Sequence, residues 1–258
     1  MLSQALVESV GLLLLMMVLF FLVAQVLKDN SIVDIAWGLG FVLVAFYTLI
    51  RFEGTGSRPL VMTLLVVLWG LRLAFFILGR GRGKGEDPRY ATFREKWGNR
   101  FLINSFIYIF MMQGVLILVV GLPIVIVNSS GGGDLGALEY LGAGIFLFGL
   151  IFESTADIQL NRFKKDPANK GKIMDRGLWR YSRHPNYFGE VVLWWGIFVF
   201  SLRAPHALVG IIGPLAITGL ILFFSGVPIL ERRFEGRPGY EDYKQKTSRF
   251  IPWFPKHT

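Results

Sequence analysis

Seven apolar runs dominate the chain and restrict it to one kind of fold. Each run is long enough to cross about 30 Å of hydrocarbon, which takes roughly 20 helical residues. A bilayer offers no water to backbone N–H and C=O groups, so each run must satisfy its own hydrogen bonds as a helix. We therefore predict an all-α polytopic membrane protein with seven transmembrane helices in one bundle. The runs lie at 9–27, 32–50, 60–79, 104–127, 138–160, 186–203 and 207–230.

The basic residues are distributed unevenly between the loops of this predicted bundle. The chain has 27 Lys and Arg residues and a net charge of +9, and 53% of its residues are hydrophobic. Alternate loops hold 3 of the cations on one side and 23 on the other, which leaves Arg72 inside a span. The positive-inside rule then predicts an N-terminus outside and a C-terminus in the cytosol. That orientation requires an odd number of spans, and seven satisfies it.

Composition also excludes several classes of site. The chain has no cysteine, so disulfides, thiol catalysis and cysteine-ligated metals are excluded. Its three histidines, at positions 184, 206 and 257, are too scattered to predict a metal site. The basic residues are spread over loops between membrane helices, so we expect no nucleic-acid partner. Basic loops of this kind also orient a membrane protein and contact anionic lipid.

Ionisable and polar residues interrupt the apolar runs. Such groups are costly in hydrocarbon unless they are paired or bind a ligand, so each is a candidate for function. The alternative is an internal ion pair, such as Asp34 with Arg72 or Glu153 with a nearby arginine. The residues are Asp34, Arg72, Gln113, Glu153, Asp157 and Glu190.

Helix five and the segment that follows it carry the densest set of such groups. Helical spacing puts Glu153, Asp157, Asn161 and Lys164 on one face, as a solvated helix end also would. The segment 176–196, RGLWRYSRHPNYFGEVVLWWG, then brings cations and hydrogen-bonding groups to the start of an apolar run. Arginine forks bind phosphate in bidentate fashion. We therefore expect an anionic ligand with a reactive part that reaches a lipid-soluble substrate.

Two other segments carry patterns of their own. The loop at 80–100 is glycine-rich and basic at its start. We predict a short interfacial helix further along it, around Tyr90–Trp97. The GRGRGKG run lacks the spacing of a phosphate-binding loop, so it is either a flexible basic turn or a segment that contacts the phosphate of the ligand. The chain from 231 onward is amphiphilic, and we expect its aromatic end to pack on the bundle or on the headgroup layer.

The motifs between 150 and 258 resemble the steroid 5α-reductase family, in particular its bacterial membrane branch. The resemblance rests on SRHPNYFGE at 182–190, WWG at 194–196, RGLW at 176–179, and YEDY with FIP at 240–252. It implies NADPH as cofactor and reduction of the conjugated double bond of a 3-oxo-Δ4 steroid or similar lipid. It also implies a single domain over 1–258, with substrate-side helices in 1–135 and cofactor-binding helices in 136–258.

The resemblance carries over to individual positions. It implies that Asn186 and Glu190 lie near the nicotinamide, and that Arg176 is the loop arginine of the family. The family places a Gln-Glu pair on helix two and a tyrosine on helix three, where this chain offers Asp34 and Trp69. The full cofactor set that we predict is Asp157, Asn161, Lys164, Arg176, Arg183, His184, Asn186, Glu190 and Arg232. The predicted substrate-binding residues are Trp37, Trp69 and Arg72.

Reduction of an enone places negative charge on the carbonyl oxygen, so the site needs a hydrogen-bond donor there. We predict Asp34 and Tyr187 as catalytic, with Asp34 as a neutral acid kept protonated by an apolar pocket. The alternatives are an isoprenylcysteine-type methyltransferase that uses S-adenosylmethionine, a reductase of another sterol double bond, and a transporter. We expect a monomer in a bacterial inner membrane, with a steroid-like lipid and membrane lipids as partners.

Overall fold

The computed structural model describes residues 1–54, 56–81 and 85–256, and these residues form helices and no strand. The all-α prediction is therefore confirmed. Thr55, Arg82, Gly83, Lys84, His257 and Thr258 lie outside the described residues, and with them the centre of the GRGRGKG run at 79–85. The helices are α1 Leu2–Leu27, α2 Ile32–Arg51, α3 Ser57–Gly81, α4 Pro88–Trp97, α5 Phe101–Ser105, α6 Met112–Val120, α7 Leu122–Asn128, α8 Ala137–Lys165, α9 Pro185–Ser201, α10 Ile212–Gly219, α11 Val227–Phe234 and α12 Tyr240–Lys246.

Six helical stretches within the described ranges are long and apolar enough to cross a membrane. This confirms that the chain is a multi-pass membrane protein. The run predicted at 186–203 forms α9, whose 17 residues make it shorter than these six stretches. The stretches are Leu2–Leu27, Ile32–Arg51, Ser57–Gly81, Pro88–Val120, Ala137–Lys165 and Ala207–Phe234.

The fourth stretch differs from its prediction at both ends. It begins at Pro88 because the helix predicted at 90–97 is present as α4 and continues through a 3-10 turn and a π-helical segment into α6. Asp87 starts it, since its side chain accepts the Arg89 N–H. The predicted run to 127 is broken after Val120, and α7 follows as a separate helix with a proline in its first turn. Proline lacks an N–H donor, so Pro123 starts a helix more readily than it continues one.

The chain divides into two compact units. Unit 1 consists of Met1–Glu139 and Ser201–Gly213, and unit 2 of Tyr140–Phe200 and Pro214–Thr258. In unit 1, α2 packs closely on α3, because a Cβ on Gly38 would lie 2.6 Å from the backbone oxygen of Gly70. Small residues of this kind let membrane helices approach at backbone distance.

In unit 2, α8 and α9 run antiparallel along a seam of glycines. A Cβ on Gly149 would lie 2.6 Å from the backbone oxygen of Gly189, and one on Gly196 would lie 2.8 Å from that of Gly142. Both helices therefore place a glycine at the contact every seven residues. The backbone contact fixes the register of the two helices, and with it the polar groups at the end of the seam.

Candidate functional site

The α8–α9 seam brings two predicted cofactor residues together in unit 2. The Asn186 side-chain amide donates to an Asp157 carboxylate oxygen at 3.2 Å, and Asp157 is only 6% exposed. Asn186 lies in the first turn of α9, and Asp157 lies two turns after Gly149 on α8. The prediction that these two residues share a site is consistent with this contact.

The loop before α9 is fastened to the same stretch of α8. The indole N–H of Trp179 donates to the backbone oxygen of Ala156 at 3.0 Å, and the Leu178 N–H donates to the Gln159 side chain at 2.9 Å. Gly177 has a φ of 58° and leaves no room for a Cβ against Gln159. The loop that carries Arg176 is therefore held beside Asp157.

Arg183 and His184 lie in a buried charge cluster around one carboxylate. The carboxylate of Glu231, in α11, lies 2.6 Å from the Arg183 guanidinium, 3.3 Å from that of Arg249 and 3.5 Å from the Nε2 atom of His184. Arg183 also donates to the Lys244 backbone oxygen. Burial lowers the pKa of His184 to about 4, although the Glu231 carboxylate acts in the opposite direction. His184 is therefore a neutral imidazole at physiological pH.

Several polar atoms next to one another in sequence have no hydrogen-bond partner among the described residues. They are Nε of Arg183, Nδ1 of His184 and the amide oxygen of Asn186. Buried groups of this kind are costly unless water or a ligand satisfies them. This clustering within four residues indicates that the start of α9 is built to receive a polar ligand.

A cationic pocket of about 610 Å³ opens in unit 2 beside this loop. Its five cationic side chains outnumber its two acidic ones, Asp175 and Asp242. Tyr243 links the pocket wall to the loop, because its hydroxyl donates to the Trp179 backbone oxygen at 2.6 Å. Burial raises the pKa of Tyr243, so its phenol stays protonated. The cations are Lys172, Arg176, Arg180, Lys246 and Lys256.

Asp34, in the first turn of α2 in unit 1, is not in the environment we predicted. Its carboxylate accepts from the Arg89 guanidinium at 2.6 Å and from the Tyr90 hydroxyl at 2.7 Å. A carboxylate held by a guanidinium is an ion pair, so the expectation of a neutral acid in an apolar pocket is wrong. The cause is the segment before α4, which folds back so that Glu86 accepts the backbone N–H of Asn30.

The predicted substrate-binding tryptophans belong to an aromatic row in unit 1. Trp37 lies edge-on to Phe41 with ring centroids 5.1 Å apart, and Phe41 lies edge-on to Trp69 at 5.4 Å. Trp69 is 1% exposed and Trp37 is half-buried. The ring of Trp37 is therefore the one at the edge of the row that a substrate could contact, whereas the ring of Trp69 is covered. Arg72 is half-buried one turn further along α3.

The other predicted residues of unit 2 differ in exposure. Asn161 and Lys164 on α8, Arg176 in the loop and Arg232 on α11 are exposed. Tyr187 and Glu190 are half-buried on α9, and the Tyr187 ring stacks on His184 with centroids 5.9 Å apart. The polar face of α8 thus runs from the buried Asp157 to the exposed Lys164.

The residues that position these groups were not among those predicted from the sequence. Glu231 is the centre of the charge cluster, Gln159 and Tyr243 hold the loop, and Arg89 with Tyr90 holds Asp34. One signal was available: the seven-residue spacing of glycines in both α8 and α9 indicates a close helix pair. The long-range partners of Glu231 and Asp34 have no sequence signal of that kind.

Comparison with known proteins gives a family but no activity. No solved structure matches the chain. An uncharacterized protein of Schizosaccharomyces pombe, C594.04c, is 28% identical in an alignment 257 positions long, which covers 87% of this chain and 73% of that protein. The probable O-methyltransferase ustE of Ustilaginoidea virens is 44% identical over 62 residues, only 23% of this chain and 22% of that protein. A family model described as "Protein of unknown function (DUF1295)" matches residues 20–247. The chain therefore belongs to the DUF1295 family.

Proposed function

We propose that this protein is an NADPH-dependent membrane reductase of the steroid 5α-reductase type. Its substrate would be a 3-oxo-Δ4 steroid or a similar lipid enone, whose carbon–carbon double bond it saturates. One observation carries the proposal: the pocket beside Arg176 has five cationic side chains against two acidic ones. Such a pocket suits a cofactor with a diphosphate and a further phosphate. S-adenosylmethionine has no phosphate and carries a positive sulfonium.

The residues in unit 2 fit a pyridine nucleotide in kind and in order. Arg176 and Arg180 would bind its phosphates as guanidinium forks. The Asn186 amide oxygen, buried and without a described partner, would accept from the carboxamide of the nicotinamide. Tyr243, Trp179 and Ala156 connect the pocket wall to the Asp157–Asn186 pair through two hydrogen bonds. A single extended ligand could therefore contact both ends.

NADPH, when bound, would supply the hydride that reaches the β-carbon of the enone. The chain's own residues have two tasks: they orient the cofactor and donate a hydrogen bond to the carbonyl oxygen. In unit 1 the one hydrogen of the Tyr90 hydroxyl is donated to Asp34, so Tyr90 would become the donor to the carbonyl oxygen by exchanging that bond for one to the substrate. Tyr187, beside the neutral His184, is the candidate donor of unit 2.

We also propose that the protein has seven spans, with the N-terminus outside and the C-terminus in the cytosol. α9 would be the seventh span, since its 17 residues at about 1.5 Å each reach roughly 25 Å. Seven spans with the basic loops inside give an external N-terminus and a cytosolic C-terminus. The cationic pocket would then face the compartment that holds NADPH. The membrane would be a bacterial inner membrane, and the protein a monomer.

The binding test uses the purified full-length protein in detergent, titrated with NADPH, NADH and S-adenosylmethionine. We expect NADPH to bind best, and Arg176→Gln with Arg180→Gln to weaken it by about tenfold per residue, or about 1.4 kcal/mol each. Arg233→Gln is the matched control, because Arg233 is an exposed cation of unit 2 outside the pocket lining. NADPH oxidation with progesterone or testosterone then tests turnover. The absence of any nucleotide affinity would exclude the proposal.

A methyltransferase is the second candidate. It is favoured by the 44% identity to the probable O-methyltransferase ustE over 62 residues. In that case the orphaned polar atoms at the start of α9 would receive S-adenosylmethionine, and the cationic pocket would be unrelated to the cofactor. Saturable binding of S-adenosylmethionine together with a failure to bind NADPH would decide for this candidate.

A further inference from the structure

The segment 248–256 presents three large apolar side chains to the surroundings. Ile251, Trp253 and Phe254 are 64%, 70% and 77% exposed. They are consecutive apart from Pro252, and the Tyr181 ring lies edge-on to Phe254 with centroids 6.2 Å apart. Grouped aromatic side chains at a surface are characteristic of an interaction site.

The backbone of this segment is fixed to unit 2 while its side chains point away. The Arg183 N–H donates to the Ser248 oxygen at 2.9 Å, and the Trp253 N–H donates to the Tyr181 oxygen at 2.9 Å. The Ser182 hydroxyl donates to the Phe250 oxygen at 2.7 Å. The exposure of the rings is therefore a property of a bonded structure and not of an unattached segment.

The segment lies level with the ends of membrane helices. Its partners at 181–183 immediately precede α9. Pro255 and Lys256 line the cationic pocket together with Phe163, which lies in the last turn of the membrane-spanning helix α8. The end of such a helix marks the boundary between hydrocarbon and water, where tryptophan and tyrosine are enriched.

Cations surround the exposed rings. Arg249 and Lys256 flank them within the segment, and Arg180 precedes Tyr181 in the loop to which the segment is bonded. All three are exposed, and the Arg249 side chain is 54% exposed despite its contact with Glu231. An aromatic patch with a cationic border matches an anionic lipid surface, in which rings enter the headgroup layer and cations contact phosphates.

We propose that the segment 248–256 is an interfacial anchor that docks into the anionic headgroup layer of the membrane that the helices span. The anchor is independent of which cofactor the pocket takes. It has a direct consequence for the pocket, because Pro255 and Lys256 belong both to the anchor and to the pocket wall. Lipid contact at Trp253 and Phe254 therefore holds one wall of the pocket in place.

Single nitroxide labels test the anchor, and the absence of cysteine makes each label site unique. Trp253→Cys and Phe254→Cys are labelled in the full-length protein and reconstituted into phosphatidylcholine vesicles with or without phosphatidylglycerol. Glu241→Cys, on the exposed face of α12, is the matched control. We expect several-fold lower accessibility to a water-soluble nickel reagent, and higher accessibility to oxygen, at 253 and 254 than at 241.

Phosphatidylglycerol should deepen the immersion of both labels, and Lys256→Gln should reduce that lipid-dependent change. Nickel accessibility at 253 and 254 equal to that at 241 in both vesicle types would overturn the proposal. Dipolar broadening between labels, with no oxygen contact, would also overturn it, because a second copy of the chain would then cover the patch.

Discussion

Glu231 accepts a guanidinium N–H of Arg183 at 2.6 Å, although 48 positions separate the two residues in the sequence. Their side chains are only 15% and 7% exposed, so this is a buried ion pair. The same carboxylate contacts Arg249, the second residue of the segment 248–256. One acidic residue thus joins the start of α9, helix α11 and the proposed membrane anchor.

Removing this carboxylate should destabilise the protein strongly. Glu231→Gln leaves the buried Arg183 without its counter-charge, which costs about 3 kcal/mol in comparable buried pairs. Thermal unfolding in detergent should therefore shift downward by several degrees. The matched control is Asp242→Asn, which breaks the exposed pair with Lys246. Because exposed pairs contribute roughly 0–1 kcal/mol, an equal shift in both variants would contradict the assignment.

His184 should make stability depend on pH in a defined window. The folded protein binds a proton at His184 only near pH 4, whereas the unfolded chain binds one near pH 6.5. Between these values the unfolded state binds more protons, so stability falls as the pH decreases from about 6.5 towards 4. His184→Asn should flatten the dependence of the melting temperature across this window. His206→Asn, at an exposed histidine, should leave it unchanged.

The Tyr90 hydroxyl should matter for turnover if Asp34 belongs to the catalytic site. Tyr90→Phe removes a 2.7 Å hydrogen bond to the Asp34 carboxylate. We expect at least a tenfold loss of turnover, about 1.4 kcal/mol, with little change in NADPH affinity. Asp34→Asn should act in the same direction.

Tyr47→Phe is the matched control for Tyr90→Phe. The Tyr47 hydroxyl donates to Glu8 at the same 2.7 Å, but near the opposite end of α2. It should lower stability only slightly, because water can replace an exposed hydrogen bond, and it should leave turnover unchanged. Unchanged turnover in both tyrosine variants would remove Tyr90 from the proposed site.

The glycine seam should be intolerant of a single methyl group. Gly149→Ala places a Cβ 2.6 Å from the backbone of α9, so the helices must separate. We expect a loss of about 1–3 kcal/mol and weaker cofactor binding, since Asp157 and Asn186 would move apart. Gly144→Ala, in the same helix with nothing within 4 Å of the new Cβ, should be neutral or stabilising by up to about 1 kcal/mol. Thermal unfolding and nucleotide titration of both variants check this.

The membrane helices could be predicted from the sequence because the thickness of the bilayer sets the length of the hydrophobic run that spans it. It predicted α2 at 32–50 and α8 at 138–160, within five residues of the helix bounds at either end. It could not predict the break at Gly121, because apolar residues continue on both sides of it. There the local backbone chemistry of Pro123 determines the helix end.

The candidate site was predictable where a sequence motif marks both partners of a contact, and not where the contact depends on how a long loop folds. Asp157 and Asn186, which lie in contact, were both among the predicted cofactor residues because the polar face of α8 and the motif at the start of α9 are visible in the sequence. The contact of Asp34 with Arg89 was not predicted, because Arg89 lies 55 positions away, beyond α3. Charge pairing across such a separation depends on how the intervening loop folds, which periodicity does not encode.

The backbone contact between α8 and α9 limits how this protein can diversify. Side chains cannot be enlarged along that line without driving the helices apart, so related proteins that keep the contact inherit the same Asp157–Asn186 geometry. New substrate preferences must then arise from other surfaces, such as the aromatic row of unit 1. Cofactor handling and substrate choice could thereby evolve separately within one polypeptide.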